Sequence, residues 1–117
     1  MSQQARTIQA QLTSSGAGAT AANALVMPIG FRAGTISVQV DGGWIGTLQF
    51  EAAADPFGVT FYNILMLPSN SATTASSTTA NGLWTVSCAG LFAFRVRASA
   101  LSEIGPTVHI TVSPNAQ

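Results

Sequence analysis

The chain has no lysine, one cysteine, one histidine and one tyrosine among its 117 residues. Charged side chains make up 7% of it, against about 25% in ordinary globular proteins. Four arginines balance four acids, so there is no basic stripe to neutralise phosphates, and general nucleic-acid binding is not expected. A single cysteine rules out an intrachain disulfide and any cysteine-based zinc site. Cys88, in Trp84-Thr85-Val86-Ser87-Cys88, reads as a buried structural thiol. Long apolar runs are missing too. Ala24 to Met27 stops at Pro28, far too short to span a bilayer. No apolar run follows Met1-Ser2-Gln3-Gln4-Ala5-Arg6, so a signal peptide is not expected. The expectation is a soluble chain made in a cytoplasm, with no membrane partner. With net charge zero, little repulsion keeps copies apart, which suits a protein that lives inside an assembly.

What is present is alternation. A chain of this length is one domain in size. Around Asp41-Gly42-Gly43, Ile36, Val38 and Val40 alternate with polar residues on one side of the turn. On the other side Trp44, Gly46, Leu48 and Phe50 alternate with Ile45, Thr47, Gln49 and Glu51. Two alternating runs about a Gly-rich turn predict a β-hairpin. Leu83–Cys88 and Leu91–Ser99 about Ala89-Gly90 predict a second, with Phe92, Phe94, Val96 and Ala98 on one face and Arg95 and Arg97 on the other. Short strands are also predicted at Arg6–Leu12, Asn23–Ile29 and Thr107–Val112. In the last of these, Val108, Ile110 and Val112 point inward and His109 outward. Val59–Leu67 is apolar almost throughout, as for a strand buried on both faces or lying at a contact. Asp55-Pro56-Phe57-Gly58 reads as a turn, and Pro68–Asn81 as a loop.

About eight strands, no helix and closely spaced turns predict an all-β chain. An antiparallel β-sandwich follows, of jelly-roll or immunoglobulin-like topology. Trp44, Leu48, Phe50, Trp84, Phe92, Phe94 and Val96 are its expected core. Ser14–Ala22 holds only Ser, Gly, Ala, Thr and nothing large enough to bury, so the chain divides into an N-terminal arm or linker, 1–22, and a sandwich domain, 23–117. The arm either packs on its own domain or lies against a neighbouring chain, and in the second case Arg6, Ile8 and Leu12 make the contact.

Motifs for chemistry are scarce. There is no nucleophile elbow, P-loop or dinucleotide fingerprint. His109 sits at a regular strand position, and Glu51 and Asp55 are separated by a strand end and a turn. A calcium site from Asp41, Glu51 and Asp55 lacks the spacing of a calcium loop. Sheet-face ion pairing of Glu51 with Arg95 or Arg97 is the better reading. No catalytic residue, metal or cofactor is expected, and the chain is not expected to be an enzyme. Trp44, Trp84, Phe50, Phe92 and Phe94 could build a sugar-stacking platform, but their spacing favours core packing.

Gly43-Trp44-Ile45-Gly46-Thr47-Leu48-Gln49-Phe50-Glu51, then Thr79-Ala80-Asn81-Gly82-Leu83-Trp84, then Phe94-Arg95-Val96-Arg97 resemble a β-sandwich module of tailed-bacteriophage virion structural proteins. The resemblance covers about residues 34–112. It departs at Ala52–Phe57, where the family often has Ser-x-Asp-Gly and a Trp, and before Gly34. What it implies is a structural place in the virion and no catalytic residues. Joined to small size and low charge, it suggests a capsid decoration (cement) protein. Such a protein would bind the major capsid protein as a homo-oligomer, a trimer at lattice junctions being one form. Host recognition or carbohydrate binding in a tail or fibre, and a neck, tail or baseplate role, are the alternatives.

Overall fold

The computed structural model describes residues 7–16, 22–29, 34–55, 60–87, 90–102 and 107–116. Among them the alternating runs form ten strands and no helix. These are β1 (Ile8–Leu12), β2 (Ala24–Pro28), β3 (Gly34–Asp41), β4 (Gly46–Ala53) and β5 (Tyr62–Asn63). After them come β6 (Leu67–Pro68), β7 (Ser77–Thr78), β8 (Gly82–Ser87), β9 (Ala93–Leu101) and β10 (Val108–Ala116). They build two antiparallel sheets, ordered β1-β10-β3-β8-β6 and β2-β9-β4-β5, with β7 on the same β4 strand.

The pairing is nested. β1 pairs with β10, β2 with β9, β3 with β8 and β4 with β7. Folding that nest over brings β10 against β3 and β9 against β4. The connectivity is that of a jelly roll, which the sequence left open beside an immunoglobulin-like arrangement.

Both expected hairpins are absent, and the reason is instructive. β3 and β4 lie in different sheets, as do β8 and β9. Each turn carries the chain across the sandwich, so the two apolar strand faces meet across the core instead of lying side by side. Ile36, Val38 and Val40 of one sheet thereby face Leu48 and Phe50 of the other, all essentially excluded from solvent. Phe50 of β4 meets Trp84 of β8 with ring centroids 5.4 Å apart and planes tilted by 51°, an arrangement worth about 0.5–1.5 kcal/mol beyond area burial.

The first crossing is fastened by side chains. Trp44 is buried between β3 and β4 rather than standing on a strand. Its indole Nε1 donates to Asn81 Oδ1 at 2.6 Å, and Asn81 Nδ2 donates to the Gly42 carbonyl at 2.7 Å. Gly42 takes φ +111°, a conformation L side chains avoid. The Trp44 and Asn81 segments, far apart in the chain, thus meet at one knot.

Other expectations are corrected. Leu12 is fully buried in the core and Ile8 packs against it, so β1 is the edge strand of the first sheet, inside the segment set apart as an arm. Leu12 is not available to a neighbouring chain. Phe92 is only half-buried and precedes β9, whereas Leu48, Phe94 and Val96 have no exposure. Residues 60–67 are not a strand buried on both faces. The chain there crosses from β5 in one sheet to β6 in the other, dropping Met66 into the core and leaving Tyr62 73% and Leu65 61% exposed. Within Pro68–Asn81, β7 and a Met66–Ala75 bridge add pairing. Arg6, Cys88 and Pro56–Val59 lie outside the described residues.

Candidate functional site

The two sheets present very different outer faces. On the first sheet, strand register aligns outward side chains in rows across the strands. One row runs Ser113, Ser37, Thr85, Leu67 and the next Gln9, Thr111, Gln39, Leu83. A third places Gln11, His109 and Asp41 together. Apart from Asp41 and His109, the described outward groups of this sheet are neutral side chains. They bond to one another. Thr7 and Ser113 share a hydroxyl bond of 3.1 Å, and Gln39 Nε2 donates to Asp41 Oδ2 at 2.9 Å. Leu67 and Leu83 are 44% and 41% exposed at the β8–β6 end, next to Leu65.

At the opposite end, a depression of about 450 Å³ opens over Gln9, Gln11, Asp41, His109 and Thr111, floored by Ala10 and Ile110. Three strands position it. β1 supplies the glutamines at alternate positions, β10 supplies His109 and Thr111, and β3 ends at Asp41 opposite His109. The Gly42 turn closes the end, its backbone passing so close that a Cβ there would sit 2.8 Å from the Thr107 carbonyl oxygen.

The second sheet's outer face carries the charge. Glu51 of β4 lies opposite Arg95 of β9 and one step from Arg97. Arg95 Nε donates to Glu51 Oε1 at 2.6 Å, and Arg97 donates through Nε to Oε1 at 3.1 Å and through Nη2 to Oε2 at 2.9 Å. One carboxylate thus takes both arginines. The Arg95 guanidinium also lies 4.1 Å from the Phe61 ring centroid. Arg97 Nη1 donates to the Gly16 carbonyl at 2.6 Å, and Gly16 N–H donates to Ala98 O at 3.0 Å. Those two bonds hold the start of the Ser/Gly/Ala segment, which composition alone marks as a loose linker.

Although it points away from the core, Glu51 is only 4% exposed. Burial pushes its carboxyl up, but hydrogen bonds from Arg97 and Arg95 and their positive charges together hold it below the ordinary value. The bond to Glu51 raises Arg97 in turn, against a smaller opposing effect of burial. Two arginines against one carboxylate leave the cluster a net positive charge, held under Phe61 and the Gly16 backbone.

Trp44 and Trp84 are buried, so neither forms a sugar-stacking platform. Among the described residues no three His, Cys, Asp or Glu side chains gather to hold a metal ion. The polar depression was not anticipated. Its only trace in the sequence is the alternation of Gln9 and Gln11 with Ile8, Ala10 and Leu12, which marks an outward face without showing which strands adjoin it.

No protein-family model and no curated protein matches the chain. Two solved structures share its fold. The SPBc2 prophage-derived protein YomS matches with a TM-score of 0.70 and 16% identity, over 98% of each chain. The PBSX exported protein XepA matches with a TM-score of 0.73 and 19% identity, over 97% of this chain. The chain spans 39% of XepA's length, so there the fold is one part of a longer protein. At such identities the fold is what the likeness establishes: this chain is a jelly roll similar in fold to YomS and to part of XepA.

Proposed function

We propose that this chain is a phage-associated structural protein and, more finely, a capsid decoration protein that stabilises a head lattice by bridging major capsid subunits. The observation that carries the phage reading is the end-to-end fold match to prophage-derived YomS. The phage-like Trp44 and Asn81 motifs, joined by a hydrogen bond, add support. The structural role is supported by a face of largely uncharged side chains, several of them hydrogen-bonded to one another. Binding of this kind acts by mass action, since a protein that attaches only to the assembled lattice stabilises it.

The attachment surface differs from the sequence expectation. Because β1 is committed to its own sheet, the grip falls to the exposed Leu65, Leu67 and Leu83 at the β8–β6 end. Large apolar groups gathered on one surface mark contact sites. Quantitative mass spectrometry of purified particles tests the reading. Hundreds of copies per particle, on the order of the major capsid protein's own number, are expected from a lattice-wide partner. A handful would move the chain to tail, neck or fibre, and absence from particles would overturn the virion role.

A further inference from the structure

We propose that the depression over Gln9, Gln11, Asp41, His109 and Thr111 is a binding site for a neutral glycan. At about 450 Å³ it falls within the range of roughly 300–1,000 Å³ typical of small-molecule sites. Its lining decides the chemistry. Among the described residues no arginine borders it, and Asp41 repels anions, so phosphates, nucleotides and acidic sugars are disfavoured. Two candidate ligand groups, Asp41 and His109, are too few for a resident metal. An apolar ligand would strip water from the Gln9, Gln11 and Thr111 polar groups and return no hydrogen bond.

A neutral sugar meets none of these objections. Each of its hydroxyls both donates and accepts, and so do the Gln9 and Gln11 amides and the Thr111 hydroxyl. Asp41 accepts only, and Gln39 Nε2 already steadies one of its oxygens at 2.9 Å, leaving the other to a ligand hydroxyl. Such a charge-assisted bond is stronger than one between neutral groups. The groups stand on three paired strands, so their spacing is set before the ligand arrives and little ordering entropy opposes binding. The face continues as uncharged Ser, Thr and Gln rows towards Thr85, giving a chain of sugar units a polar track.

Titration of ¹⁵N-labelled protein with neutral oligosaccharides of glucose, galactose, N-acetylglucosamine and rhamnose tests this. At least one should give saturable shifts confined to β1, β10, the Asp41 end of β3 and the Gln9 and Gln11 side-chain amides, with a dissociation constant on the order of 1 mM. Gln11→Ala and Asp41→Ala should each weaken binding about tenfold, the effect of one ordinary hydrogen bond. Asn63→Ala, on the edge strand of the second sheet, should not. No shifts with any of the four sugars up to roughly 20 mM, or binding unchanged in both variants, would overturn the site. So would a preference for sulfated over neutral sugars. The isolated protein is used, so the result is independent of copy number in particles.

Discussion

The outer faces of the two sheets are built to opposite rules. On the second sheet, Glu51, Arg95 and Arg97 are packed under Phe61 and the Gly16 backbone, one carboxylate shared by two arginines. On the first, Ser, Thr and Gln rows stand open, ending in a depression at one side and in leucines at the other. The lesson concerns where a chain with four arginines puts its charge. At least two serve as internal fasteners for a loop, and the exposed face is left to neutral hydrogen-bonding groups. These cost far less to desolvate than ions, which suits repeated contact with another surface.

Three changes sharpen that contrast. The severest is removal of residues 1–22. It strips β1 from the first sheet, takes Leu12 from the core and frees the β10 edge. We expect no cooperative thermal transition, whereas a sandwich starting at residue 23 would melt normally.

Next comes Glu51→Ala, which leaves two arginines half-buried without their counter-charge. A loss of about 3 kcal/mol is expected from breaking such a group from one side, or a fall in Tm on the order of 10 °C, read by urea and thermal denaturation. The same carboxylate gives a pH signature. Its folded value lies below its ordinary 4.5, so its contribution is complete above that value and is lost as pH falls through the lower folded one. Stability of the native chain should therefore drop in acid below about pH 4.5 more steeply than that of Glu51→Gln. Parallel profiles would show that the triad is not the origin. Smallest is Thr85→Ala on the open face, expected within about 0.5 kcal/mol of the parent. A larger loss would mean that the polar rows are structural rather than available.

Strand faces were legible because they depend on a local period of two. Ile36, Val38 and Val40, and likewise Val108, Ile110 and Val112, are buried where alternation puts them. Partners were not legible. A Gly-rich turn between alternating runs looks the same whether the chain doubles back in one sheet or crosses to the other. What separates the cases here is burial of Trp44 within the turn and its bond to Asn81, 37 residues away. Strand register, which sets Gln11, His109 and Asp41 side by side, is likewise a property of three distant segments. Of the two placements open to the first segment, β1 takes the one on its own domain, and sequence could not choose because its sheet partner is the distant β10.

That last pairing bears on when the molecule can fold. Thr7 and Ser113, bonded across β1 and β10, are 106 residues apart, and β10 is an inner strand of its sheet rather than an edge. During synthesis, β1 and β3 must wait for their shared neighbour, with Ile36, Val38 and Val40 uncovered meanwhile. So many distant contacts make for slow folding. A chain halted before Val108 would lack the middle of a sheet, so the sandwich should form only after its final strand has left the ribosome.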